Sequence, residues 1–316
     1  MAKRDRTGEI LEIKGRGAKH YALVSSNLEQ LRASWEKAQG DADCKPDFYV
    51  IRAVTILEVF TRYRIAALVD HGKNYAARAA LLMKDYKIDF ETLQSIQGRV
   101  LTLGDIVGHS VPVNSFGQII SHFEIILQDH LQAKLKLAVD RWRTEVQKLP
   151  PKPIIPDYDL MAKRLKRLFE VRHIICHELP SKPAYMASEV TDFLNEAVRF
   201  ASAFENVLSF ELYGLTPLTQ TEMNIEAARK LRERDSELEK LIIAIPGEVS
   251  LVNGELSALE ESQEKWLSFR KSHCDFLTIL NKGGTIRSLL WSSKAKAMTE
   301  HRIEELGVWL EHRANL

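Results

Sequence analysis

Apolar residues recur at helical spacing along nearly the whole chain, and alternation of period two is nearly absent. That pattern predicts an all-α protein in which strands are at most minor. Leu28, Leu31 and Trp35 share one helical face, and Ser26 with Glu29 reads as a capping box ahead of them. From Tyr49 to Asp70 a broad apolar stripe runs up to Gly72, a helix stop. Ser115 and Gln118 open a long segment predicted to reach Leu149. Pro150, Pro151 and Pro153 end it, because proline cannot continue a helix. A helix from about Asp157 is stopped at Leu179 by Pro180, and another runs from about Ser188 to Tyr213, with Gly214 as its stop.

A chain of 316 residues is too long for one small core, so two packed units are expected. The stretch from Gly214 to Leu218 is the best boundary between them, and Thr219 with Glu222 marks a new helix cap. The helix that follows, up to Pro246, is rich in both signs of charge and reads as a solvated face. A second helix covers about Gly254 to Leu280, ending before Gly283 and Gly284, and a last one runs on to the end. The expected domains are an N-terminal extension with one helix at 1–44, a helical domain at 45–214, a linker and helix start at 215–231, and a smaller helical domain at 232–316.

Charge excludes some functions. Lys and Arg total 44 against 43 Asp and Glu, a net charge of +1, which rules out a globally basic nucleic-acid binder. One local concentration stands out. Residues 131–172 hold eleven bases against five acids, either ordinary solvated helix faces or a surface that attracts phosphates. The cysteines at 44, 176 and 274 are odd in number and widely spaced, which predicts free thiols rather than a disulfide framework. The first residues carry charges without an apolar stretch. The longest run lacking Asp, Glu, Lys and Arg, from Ile106 to Phe123, holds Gly, His, Ser, Pro and Asn. Neither reads as a secretory signal or a membrane span, so a reduced, cytoplasmic protein without a membrane partner is expected.

The most informative stretch is Leu168 to Pro180, where Arg172, His173 and His177 interrupt an apolar helix end. His173 and His177 are four apart and share a face. That spacing can hold a metal, but Glu is not at 174 and no third ligand is evident, so no metal and no cofactor are expected. Arg172 and His177 are five apart, about 140° around an ideal helix. A site using both needs a helix end, a shared groove or a second protomer.

Arg-x-x-x-x-His at the end of an apolar helix resembles the motif of HEPN domains, all-helical domains found in many prokaryotic ribonucleases, toxins and antiviral proteins. Further stretches look like that family. Arg52 to Phe60 resembles its first long helix, with Glu58 embedded; Leu101 to Val107 and the helix after Ser115 resemble the middle of the larger variants. Ser188 to Tyr213 would follow the motif. The resemblance covers about residues 45–214. It implies that two copies pair about a two-fold axis and that their Arg and His residues meet in one cleft, a metal-independent endoribonuclease. A histidine titrates near neutrality and can move the proton of a ribose 2′-hydroxyl, while the planar fork of an arginine matches the oxygens of a charged phosphorane. His177 would be the general acid/base, Arg172 the transition-state clamp and His173 a supporting group. The implied partners are RNA, a second copy, and a protein antitoxin or regulator. One departure is Leu179, which stands where nucleotide-modified HEPN toxins carry a tyrosine. The alternative is a non-catalytic dimeric scaffold or sensor, with Arg172 paired to Glu58.

The second half carries another resemblance. Gln263, Trp266, Phe269, Arg270 and Cys274, then Gly283, Gly284 and Thr285, then Thr299 and Arg302 follow the order of the LprI-type domain, named for a bacterial lysozyme inhibitor. Secreted relatives hold that cysteine in a disulfide, whereas here Lys294 stands near the place of its partner. A lysozyme-inhibitor role is therefore a distant third. Trp266, Phe269 and Trp291 are expected in the helical core.

Overall fold

The computed structural model describes residues 6–15, 23–84, 90–98, 100–178, 182–249, 251 and 254–314, and among them the fold is all-α. Among the described residues the extended pairing is limited to an isolated antiparallel bridge between Val139 and Pro153. The chain divides into two compact units, residues 1–215 and 216–316.

In the first unit, helices α1 (Arg6–Gly15), α2 (Leu23–Ala38), α3 (Pro46–His71), α4 (Lys73–Ala79), α5 (Phe90–Gln97), α6 (Leu103–Ser110), α7 (Phe116–Leu127), α8 (Leu131–Leu137), α9 (Tyr158–His177) and α10 (Ala187–Tyr213) follow in order. Helix α3 is the central one, packed against α2, α6, α9 and α10. Its buried residues, among them Val50, Ala53, Leu57, Phe60, Ile65 and Leu68, face several directions, as an interior helix requires. Phe60 meets Phe204 with ring centroids 5.4 Å apart, Phe116 meets Phe200 at 5.1 Å, and Phe123 meets Phe204 at 4.4 Å. These tilted and edge-on contacts tie α3, α7 and α10 into one core.

Four details differ from the sequence expectations. The segment at 1–44 carries two helices, and α2 is no appendage: Leu28 and Trp35 are buried in the main core, and Trp35 Nε1 donates to Thr191 Oγ1 at 2.8 Å. Helix α2 begins at Leu23, so Ser26 lies inside it rather than capping it. The segment expected to be one helix from Ser115 to Leu149 is three pieces: α7, α8 and a π-helical turn at Trp142–Val146. Tertiary contact supplies the reason for the first break. Gln128 adopts φ 52°, and Arg78 of α4 donates to the carbonyls of Ile126 and Leu127 at 3.3 and 3.2 Å, capping the end of α7. Gly72 does follow α3, but with extended backbone (φ −173°) rather than a left-handed cap.

The second unit holds α11 (Gln220–Glu248), α12 (Glu255–Leu277) and α13 (Arg287–Ala314). Thr219 and Glu222 form a reciprocal capping box at the start of α11. This helix continues past Pro246 to Glu248, although the proline has no N–H to bond the Ile242 carbonyl one turn back. The buried cluster is small: Leu231, Cys274 and Ala295, with Trp291 and Met298 packed on it. Arg270 bridges it to Asp235, and its guanidinium donates to Thr299 Oγ1 at 2.5 Å. The same guanidinium lies 5.0 Å from the Trp266 ring, which is half-buried. Phe269 corrects an expectation. It is 55% exposed and stacks on His273, outside the core. Among the described residues no helix is long and apolar enough to cross a membrane.

Candidate functional site

Helix α9 positions the motif. Asp157 caps it, its carboxylate accepting from the Leu160 amide at 2.9 Å. Met161, Leu165, Leu168, Phe169 and Val171 bury its inner face. Arg172, His173 and His177 therefore sit on the last turns of a helix anchored along its length. Leu179 and Pro180 lie outside the described residues, so the expected stop at Pro180 is not described.

Arg172 is half-buried, with Nη2 3.9 Å from Glu58 Oε1 on α3. Its Nε is inaccessible to water and has no hydrogen-bond partner. Burial pushes the Glu58 carboxyl above its usual range, and the attraction of Arg172 and Arg62 only partly offsets that. The pairing expected of the scaffold alternative is thus present, as a long contact.

His173 and His177 are exposed, with ring centroids 4.8 Å apart. At 100° per residue, His177 shares its helix face with Lys163, Lys166 and Glu170, while Arg172 points about 140° away. The helix brings the two histidines together and keeps Arg172 apart from His177. Among the described residues no cluster of three or more His, Cys, Asp or Glu is arranged to hold a metal.

The basic segment is largely engaged within the fold. Lys134 bonds Asp129 and Glu211, each at 2.8 Å; Arg141 binds Glu145 with two nitrogens; Arg164 binds Asp192 and Glu196; Arg167 donates to the Ala184 carbonyl at 2.6 Å. Lys163 and Lys166 are exposed and line a groove with Tyr158 and Gln132, on the His177 side of α9. The acids Glu124, Asp159, Glu170 and Glu189 also line it, so its charge is mixed.

The thiols are free: Cys176 is exposed beside the motif, Cys44 half-buried and Cys274 buried. Burial raises the Cys274 thiol above its usual range, which keeps it protonated and inert.

Sequence reasoning missed the glycine pair of α6. A Cβ on Gly104 would stand 2.3 Å from the Ala66 carbonyl oxygen, and one on Gly108 would stand 2.5 Å from that of Arg62. Their spacing of four was the available signal, since two glycines on one helix face permit close approach of a second backbone.

Residues 216–306 match the family described as Lysozyme inhibitor LprI. The second unit thus carries an LprI-type module, whose matched stretch starts ahead of the 232 expected from the sequence and includes all of α11. Comparison with curated proteins and with solved structures gives no match.

Proposed function

We propose that the first unit is a HEPN-type, metal-independent endoribonuclease that works as a homodimer. The observation that carries this is the end of α9. It exposes His177 and His173 and leaves Arg172 half-buried, with an unpartnered Nε, on another face. One copy holds the two required chemistries apart, and a second copy packed about a two-fold axis brings the His177 of each towards the Arg172 of the other. His177 moves the proton, Arg172 meets the charge of the phosphorane, and His173 supports. The long contact to Glu58 leaves the Arg172 guanidinium able to exchange partners. Lys163 and Lys166 on the His177 face supply attraction for the RNA backbone. On this reading the protein is a prokaryotic toxin or antiphage effector of the cytoplasm, restrained by a protein antitoxin or regulator. The LprI-type unit is the protein-recognition part.

RNA cleavage in excess EDTA tests the reading, with products carrying a 2′,3′-cyclic phosphate expected. His177→Ala should lose roughly 10²–10⁴-fold in rate, and Arg172→Ala a comparable factor that Arg172→Lys does not fully restore. Activity lost with EDTA, or unchanged in both alanine variants at matched dimer content, would refute it. That outcome would leave the scaffold reading, which the Arg172–Glu58 contact favours.

A further inference from the structure

Helices α1, α3 and α6 enclose a cavity of about 310 Å³ that the ribonuclease reading does not use. It lies at the small end of the ~300–1,000 Å³ range of small-molecule sites. Most of its wall is apolar: Ile10 and Ile13 from α1, and Val59, Tyr63 and Ala66 from α3. Gly108 of α6 also lines it, at the point where the lack of a side chain lets α6 approach the α3 backbone.

Three cationic or potentially cationic side chains also line the cavity, and two of them are engaged. Lys14 pairs with Asp105, and His109 Nε2 lies 3.0 Å from Glu9 Oε2. Both contacts run from α1 to α6, so α1 is strapped across the cavity at two points. Arg62 is different. Its Nε is inaccessible to water and has no hydrogen-bond partner. The carboxylate that feels its charge, Glu58, sits one turn back on α3 and is shared with Arg172. Arg62 lines the cavity as a half-buried side chain, and the two terminal nitrogens of its guanidinium, rather than Nε, are the donors that can make charge-assisted hydrogen bonds to an anion there.

We propose that this cavity binds a small amphipathic carboxylate, its apolar body against Ile10, Ile13 and Val59 and its carboxylate on Arg62. The charge count selects the headgroup. A monoanion matches the single guanidinium left over, whereas a phosphate dianion needs a second free cation, and Lys14 and His109 are already engaged. The walls select the body, because acetate would leave them unfilled.

Isothermal titration calorimetry of the full chain tests this with octanoate, octan-1-ol and acetate as probes. Octanoate should bind at least ~10-fold tighter than octan-1-ol, as a charge-assisted hydrogen bond requires, and acetate should give no binding heat. Arg62→Gln should bring octanoate down to the affinity of octan-1-ol. Val59→Trp, at a wall position that is 37% exposed and so tolerant of bulk, should weaken both by filling the space. Equal affinity for octanoate and octan-1-ol, a preference that survives Arg62→Gln, or no binding of either at millimolar concentration would each overturn the proposal. Should Val59→Trp lower the melting temperature, the Arg62→Gln comparison decides alone. The readout is binding, so its result is independent of whether the protein cuts RNA.

Discussion

Phe60, Phe116, Phe123, Phe200 and Phe204 converge at the centre of the first unit, and α3 is buried from several sides. Among its described residues the second unit has nothing comparable. Leu231, Cys274 and Ala295 form its buried cluster, and the Arg270–Asp235–Thr299 network lies beside them. Its middle helix, α12, leaves Leu267, Phe269 and Phe276 exposed. The first unit is held by apolar area, which is non-directional and scales with what is removed from water. A short helical unit has little such area to offer. A charged network contributes less net free energy, but its geometry fixes which helix faces meet. In that contrast lies a reason why Arg270 and Thr299 belong to the pattern that resembles the LprI-type domain.

The contrast can be broken by experiment. Phe204→Ala should cost about 3–5 kcal/mol, the usual toll of deleting a fully buried aromatic ring. Hydrogen exchange should assign that loss to residues 1–215. Arg270→Met should cost roughly 1–3 kcal/mol, because it leaves Asp235 without its cationic partner, and Asp235 keeps the Thr299 hydroxyl and enough solvent contact to soften the loss. Adding Asp235→Leu to Arg270→Met should return part of that loss in chemical denaturation. A larger cost for Arg270→Met than for Phe204→Ala would reverse the comparison.

A smaller effect concerns Glu58. Its carboxyl is raised above the ordinary 4.5 chiefly by burial, so the folded state holds its proton more tightly than the unfolded chain. The favourable linkage is fully present below about 4.5 and is lost as pH rises through the folded value. The stability difference between wild type and Glu58→Gln, followed by thermal unfolding against pH, should therefore move against wild type over that interval and then level off. The smallest effect belongs to Glu226, partly exposed on α11 and pulled down to about 2 by the Arg229 hydrogen bonds. NMR titration should show that low midpoint at low salt and a rise towards the usual carboxylate range with added salt, with no change in unfolding midpoint for Glu226→Gln.

Much of the candidate site was legible without coordinates. Five residues at 100° each already separate Arg172 from His177, and four residues already pair His173 with His177. The possible partner of Arg172 was legible too, since Glu58 was the carboxylate embedded in an otherwise apolar stretch. What spacing could not give was the state of the basic segment. Its excess positive charge reads as solvated helix faces or a surface for phosphates, but Lys134, Arg141, Arg164 and Arg167 are engaged by carboxylates or carbonyls, and three of those carboxylates, Asp192, Glu196 and Glu211, come from α10. A count of charges along a sequence cannot see partners that arrive from elsewhere in the chain.

The sequence by itself determined that the chain is helical, where α9 and α10 begin, and that Thr219 and Glu222 start a new helix, because caps and periodicity are local. Tertiary structure alone decided that α2 belongs to the main core, that Arg78 ends α7 at Leu127, that Phe269 stays outside, and that Gly104 and Gly108 bring α6 against α3 beside the Arg62 cavity. Each of these depends on groups far apart in sequence, and their free energy exists only once the helices have met.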